Sequence, residues 1–584
     1  MNQTVDSVQR PLGARGSRRA VAPDGSTADL SPTAAAVLAA IPTWWKARAE
    51  QAGLDGVWLD VSQAVDAVPP FDAEALPALE EEWGPLSGED VGTSYFEALS
   101  PATRSRHGRH YTPAPLAEQL WSQARRVKSG EGGTPQRLTG LVRDPACGGG
   151  ALLLPVLREH LRASSDIDPR LVLAGLPSLV EGIDNDPAAV WVASLVLAAE
   201  MLPLLERIPE GHRRPLPALC RVGDGLAPQE TSARIVVMNP PYGRVRLSDE
   251  ERARFAPVLY GHANLYGIFM AAAEESLADD GVLAALVPTS FLAGRYFAPL
   301  RERFSSALTL SEVAFVAQRT GVFSSVLQET CLATFTRGTD RQQTEATISS
   351  IHGGHRTDVA RTPTPHGPSP WILPRRAELA GVAAAVAVMP LTLAEAGWRV
   401  STGPLVWNRR VDDLGAVAGT PVIWSADFDG GVLHTDARRS PMRFLRLQSE
   451  RDRRTMTLRE PAILVQRTSA PEQVRRVTSV QLTTEDLERL GGAVVVENHV
   501  NVLRPRAAGA LLSMTLLSRL LDSPAMDAVA RCVSGSVALS AFELSALPLP
   551  EESVLAAWEQ MDGVALDAAI AEAYGLAAQG TATA

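Results

Sequence analysis

The chain has 584 residues, 45% apolar and 21% charged, with a formal net charge of −11. That length implies more than one domain, because a single hydrophobic core stops growing near about 250 to 300 residues. The acidic balance excludes a broadly basic nucleic-acid coat and leaves room for a local basic cleft. Cys147, Cys220, Cys331 and Cys532 show neither zinc-site nor disulfide spacing, so no metal is expected and a reducing cytoplasm suits them. No charged-then-apolar leader opens the chain, and the longest charge-free run, Leu379 to Ala394, is short for a membrane span and contains Pro390. Neither export nor membrane insertion is expected.

Residues 1–30 carry Arg, Gly, Ser and Pro without periodicity and read as a disordered tail. Residues 31–100 contain Ala- and Leu-rich stretches that predict a small helical region without chemistry of its own. At Tyr111-Thr112-Pro113 the chain turns into the amphipathic segment Leu116 to Val127, with Thr112 as an N-cap and proline at the first helical position. Leu141 to Leu161 then reads as strand, glycine turn (Gly148, Gly149, Gly150) and helix, a pattern that lets backbone approach a nucleotide-like ligand. Asp144 closes that strand and suits a cationic amino group.

A second strand ends at Asp184, placed to accept ribose hydroxyls, while Asp186 before Pro187 reads as a helix cap. The spacing from Gly150 to Asp184 exceeds the usual interval, so an extra helix or loop is expected between them. Cys220-Arg-Val-Gly-Asp224 offers a third strand-end acid, suited to an adenine amine, with Leu226 positioned to pack on a ring. Next, Ile235 to Met238 forms a buried strand stopped by Asn239-Pro240-Pro241-Tyr242, because two prolines cannot extend it. A side-chain carbonyl on Asn239, a rigid Asn-Pro backbone and the flat face of Tyr242 fit a planar group bearing an exocyclic amine. A helix from Asn264, a strand from Gly281 into Pro288, and a hairpin edge formed by Val322-Phe323 and Thr330 to Phe335 follow.

These segments, taken in order, resemble the gamma class of DNA adenine-N6 methyltransferases over residues 109–335, with Asn264-Leu-Tyr-Gly267 and Val287-Pro-Thr-Ser-Phe-Leu292 as further matches. The resemblance implies an α/β fold: a Rossmann-like S-adenosyl-L-methionine-dependent methyltransferase with a mixed seven-stranded sheet, a helical N-terminal region, and an α+β target-recognition domain. It implies domains at 31–100, 101–361 (catalytic), 362–550 (target recognition) and 551–584 (helical tail). It also implies cofactor contacts from Tyr111, Thr112, Asp144, Ala146, Gly148, Asp184, Asn185, Asp224 and Leu226, catalysis by Asn239, Pro240, Pro241 and Tyr242, and stacking of a flipped base on Tyr242 and Phe323. Double-stranded DNA is the implied substrate, in a restriction-modification or phage-defence system that includes other subunits in some cases.

Beyond residue 362 the chain alternates short strands, turns and arginines, and Arg409, Arg410, Arg443 and Arg467 are candidate DNA contacts, interleaved with Trp407 and Trp424. Three other readings compete. Protein-glutamine methyltransferases also carry Asn-Pro-Pro-Tyr, but they are much shorter. A modification subunit active only with partners keeps the same chemistry. A non-catalytic DNA-binding module is disfavoured by the intact Asp144, Asp184, Asp224 and Asn239.

Overall fold

Four short runs, Val142–Asp144 (β1), Val180–Asp184 (β2), Cys220–Val222 (β3) and Ala233–Met238 (β4), are the inner frame of a parallel sheet. Val142 pairs with Val180 on one side and Ile235 on the other, so three strand ends that carry acids or Asn239 lie along one carboxyl edge. The computed structural model describes residues 31–70, 83–100, 111–129, 135–316, 329–338, 345–434, 441–469, 473–507, 509–533, 535 and 538–576. Two small strands, Arg244–Val245 (β5) and Ala263–Asn264 (β6), pair antiparallel just beyond β4. The chain then adds Leu277–Pro288 (β7), Thr309–Val316 (β8), Thr330–Thr336 (β9), Glu345–His352 (β10) and His355–Pro363 (β11).

The large sheet has nine strands, in the order β11-β10-β8-β9-β7-β4-β1-β2-β3. β9 runs antiparallel between β7 and β8. Two expectations change here. Seven strands were expected; the β10–β11 hairpin extends the sheet by pairing β10 parallel to β8. Thr330 to Phe335 was read as an edge, yet β9 is interior. Its side chains are buried almost throughout, which an apolar, β-branched run satisfies only with a neighbour on each side. Val322 and Phe323 lie outside the described residues.

The long interval between Gly150 and Asp184 is filled by the helix Leu153–Ala163 and then an additional helix, Pro169–Gly175, with a 3-10 turn. Pro187–Glu206 follows β2 and is apolar on nearly all sides, with Glu200 paired to Arg158. Among the described residues it is the one helix long and apolar enough to cross a membrane, and it is largely buried within the fold. What buries it is partly the N-terminal region: the helices Pro32–Gln51 and Gly88–Ala98 both pack against it. Trp44 and Trp45 are fully enclosed, in the same hydrophobic cluster as β1 and β2. The N-terminal helices therefore form one wall of the core around the large sheet.

The C-terminal half holds a four-stranded antiparallel sheet that includes Trp398–Thr402, Val500–Pro505 and Ala462–Gln466, and a five-stranded sheet of shorter strands. Helices Met514–Leu521, Pro524–Val533 and Gly563–Ala573 cover one side. Leu555, Trp558, Ile570 and Tyr574 join that core, and the Tyr574 hydroxyl donates to the Pro548 carbonyl at 2.8 Å, so residues 551–576 pack on their own domain. Arg301 links the two halves. It is buried on the helix Ala298–Ala307, donates to the carbonyls of Phe291, Gly294, Pro368 and Ser369, and lies over the Phe542 ring at 5.9 Å.

Candidate active site

The turn after β1 is held by its own backbone. Asp144 accepts from the Ala146 amide at 3.0 Å, and the Cys147 amide reaches the Ile183 carbonyl on β2 at 2.9 Å. Gly148 and Gly150 adopt φ of +49° and +86°, which a side chain would strain, and this lets the loop fold back over the sheet edge. Asp184 is fixed from two sides, by the Gly148 amide at 3.0 Å and the Asp186 amide at 2.9 Å. Asp186 caps the following helix through the Ala188 amide, as its position before Pro187 predicts. Asn185 is exposed at the same edge.

Asp144 is 1% exposed, and no cation among the described residues pairs with it. Burial pushes its carboxyl up to about 8, aided by repulsion from Asp184 and opposed by the Ala146 amide. An acid held in that state favours a cationic ligand, which would restore its charged form. Asp224 sits after β3 and is exposed apart from a bond from the Leu226 amide at 2.9 Å. Leu226 itself is buried in the cluster with Val236, Met238 and Phe269.

Gly225 joins the two. A Cβ there would lie 1.8 Å from the Pro145 carbonyl oxygen, so the turns after β1 and β3 touch through it. Gly225→Ala should destabilise the protein by about 3 kcal/mol. A lower midpoint in urea with an unchanged slope would show it.

The tetrapeptide lies next to this cleft. Asn239 Nδ2 donates to Thr112 Oγ1 at 2.9 Å, and the single proton of the Tyr242 hydroxyl is shared between Asn239 Oδ1 at 3.0 Å and the Leu286 carbonyl at 3.2 Å. The helix begins at Ala114, so Pro113 rather than Thr112 takes the cap position, and the buried Thr112 hydroxyl instead orients the Asn239 amide. Burial of the Tyr242 hydroxyl raises its pKa, so it stays a donor. Its ring is only half-buried and meets Tyr266 edge-on at 6.0 Å. The Tyr266 hydroxyl in turn lies 2.7 Å from Ser290 Oγ. Residues from β4, the Leu265–Glu275 helix and the end of β7 thus lock one another at the carboxyl edge.

The N-terminal region contributes more than expected. Gly92 on the Gly88–Ala98 helix sits so close to the glycine turn that a Cβ would lie 3.3 Å from the Gly149 carbonyl, and the Tyr95 hydroxyl donates to Asp186 at 3.0 Å. The same helix offers its Glu89 carbonyl to the Tyr111 hydroxyl at 3.2 Å. The available signal was the Gly88/Gly92 spacing of four, which puts two bare positions on one helix face.

Away from this edge the arginines divide. Arg443 is corrected from a DNA contact to a structural residue: it is 7% exposed and grips the fully buried Asp427 with two bonds, at 2.8 and 3.0 Å. Arg410 is likewise committed internally, to Asp413 at 2.7 Å and Asp452 at 3.0 Å. Arg467 is half-buried and donates to the Asn498 carbonyl at 3.2 Å. Arg409 is exposed, with no ion-pair partner among the described residues. Arg443→Met should cost about 3–5 kcal/mol, because it leaves Asp427 buried and unpaired; a thermal melt compared with that of Arg409→Ala, expected to match wild type, checks this.

The strand order and the acid-lined carboxyl edge define a Rossmann-like α/β fold. Residues 229–323 match the family described as Eco57I restriction-modification methylase. The matched segment takes in β4 and the Asn239-Pro240-Pro241-Tyr242 turn that follows it. The chain is 23% identical over 331 residues to the Type II methyltransferase M.BsuBI of Bacillus subtilis, covering 55% of this chain and 65% of that one. It is 25% identical over 337 residues to the Type II methyltransferase M.PstI of Providencia stuartii, with the same coverage. The match spans about two thirds of the length of these curated relatives. A solved structure of the Type IIL restriction-modification enzyme MmeI in complex with DNA is 15% identical over 85% of this chain and 80% of that one, with a TM-score of 0.49.

Proposed function

We propose that the chain is a site-specific DNA methyltransferase that moves a methyl group from S-adenosyl-L-methionine to the N6 amine of an adenine turned out of the duplex, in a restriction-modification system. The observation that carries this reading is the fixing of Asn239 by Thr112 and Tyr242 directly beside the Asp144–Asp184 cleft. The cleft residues fit the cofactor: the unpaired, buried Asp144 suits its cationic amino-acid end, Asp184 its ribose hydroxyls, and Asp224 its adenine amine. Gly148, Ala146 and Asn185 line the approach, and Tyr111 and Thr112 close it from the other side. Leu226 packs beneath the loop rather than offering an open face. The bound cofactor supplies an electrophilic methyl carbon on a sulfonium.

The protein's part is orientation. Adenine's amine is a weak nucleophile because its lone pair is delocalised into the ring. The second lone pair on Asn239 Oδ1 and the Pro240 carbonyl accept the two N6 hydrogens and favour pyramidal nitrogen, while Pro240 and Pro241 keep the loop stiff. A tuned general base is not needed before transfer; the N6 proton leaves after the new bond forms. Turning a base out of the stack costs a few kcal/mol, and stacking on the half-buried Tyr242 ring returns about 1–3 kcal/mol. Phe323, proposed as a second aromatic contact, lies outside the described residues. Arg409 is proposed to contact phosphate, and half-buried Arg467 to do so through its remaining donors.

Expression in a host lacking adenine methylation, followed by digestion of its DNA to nucleosides, tests the reading. N6-methyldeoxyadenosine should appear with the wild-type chain. N4-methyldeoxycytidine alone would overturn the choice of base.

A further inference from the structure

Next to the proposed target-base pocket, a second pair of aromatic rings faces solvent. Tyr260 lies in the loop before β6 and Tyr296 in the turn after the Ser290–Ala293 helix; they are 40% and 47% exposed. Their centroids are 6.1 Å apart and their planes 60° apart, and the Arg295 guanidinium lies 4.8 Å over the Tyr260 ring. The fold does not need these rings as filler, since their inner neighbours do the packing. Phe297 stacks on Tyr266 at 4.8 Å, and Tyr266 meets Tyr242. A row of rings thus runs from the tetrapeptide through Tyr266 to Phe297, whose chain neighbour Tyr296 reaches the surface.

The backbone ties the pair to the same place. β5, which immediately follows Gly243, pairs with β6 through Arg244 opposite Asn264, and the Leu265 amide donates to the Gly243 carbonyl at 2.8 Å. The surrounding charge is also uncommitted. Arg244 and Arg246 are exposed, and neither they nor Arg295 has a carboxylate within ion-pair distance among the described residues. Nearby Arg254 and Arg303 are instead neutralised by Glu275 and Glu274. Exposed rings with an arginine stacked on them and unpaired cations alongside match the chemistry of an unstacked nucleobase on its phosphate chain.

We propose that Tyr260, Tyr296 and Arg295 form a stacking platform for a nucleobase neighbouring the target on the same DNA strand, with Arg244 and Arg246 holding its phosphates. The platform keeps the opened strand in line with Asn239 and makes the methyltransferase sensitive to the base beside its target. This rests on the methyltransferase reading above.

The test uses the full chain and two fluorescent single-stranded oligodeoxynucleotides of equal length, one of mixed sequence and one abasic, so it depends on neither the recognition site nor methyl transfer. Wild type should bind the base-containing strand about 10- to 100-fold more tightly than the abasic one. The double variant Tyr260→Ala/Tyr296→Ala should lose that preference while retaining its melting temperature and cofactor binding, and Tyr260→Phe/Tyr296→Phe should keep it. On unmethylated duplex the alanine variant should raise the KM for DNA far more than it lowers kcat. An undiminished preference in the alanine variant, or no preference in wild type, overturns the platform. Wild type that prefers bases yet never methylates DNA leaves the platform standing and removes the methyltransferase reading instead.

Discussion

Asn239→Ala should lower the methyl-transfer rate about 1,000-fold or more while leaving cofactor affinity within a few-fold of wild type. The change removes the side-chain carbonyl proposed to accept from the substrate amine and also releases the Thr112 hydroxyl and the Tyr242 hydroxyl, which it holds at 2.9 and 3.0 Å. Asp144 and Asp184 keep their own amide partners, so cofactor binding should change little even though Thr112 also borders the proposed cofactor site. The loss should appear in kcat, because the interaction strengthens only as the amine becomes pyramidal. Thr112→Val should show a smaller loss of the same kind, since it frees the amide to rotate without removing it. Equal loss of cofactor binding and rate would mean that Asn239 shapes the cleft rather than the chemistry.

Asp144→Asn should weaken cofactor binding about 10- to 100-fold, the loss expected for a charge-assisted hydrogen bond in a buried place. Its effect on the ligand-free protein has the opposite sign. The folded carboxyl is raised from 3.8 to about 8, so folding retains a proton that the unfolded chain has released. Below 3.8 both states are protonated and nothing is lost; as pH rises from there towards 8, stability falls, by up to about 1.4 kcal/mol per unit. The asparagine variant has no such charge to bury, so it should melt above wild type at pH 8 and lack that slope. Cofactor binding near pH 7 should release a proton from wild type and none from this residue in the variant, which calorimetry in buffers of different ionisation enthalpy would detect. Identical proton release from both would contradict a cationic contact at Asp144.

Much of the catalytic half is legible because its information is local. A strand that ends in an acid, followed by a turn and a helix, needs no distant partner to be recognised, and this places Asp144, Asp184 and Asn239 on one edge. The Asp186 cap is legible for the same reason. What escapes is pairing between distant segments. Nothing local to Thr330–Thr336 says that it lies between two strands, and nothing local to residues 345–363 says that they extend the same sheet. The N-terminal helices read as anonymous because their role lies in a contact made across the fold, Gly92 against Gly149. The arginines show the limit most plainly: Arg409, Arg410 and Arg443 look alike in sequence, and only their carboxylate neighbours separate an exposed cation from one buried against Asp427.

The central claim is tested most directly by incubating the purified chain with labelled S-adenosyl-L-methionine and unmethylated duplex DNA, then identifying the labelled nucleoside. Label in N6-methyldeoxyadenosine with wild type, and background counts with Asn239→Ala, is the predicted result. Label at another base, or equal transfer by the Asn239→Ala protein, would contradict it.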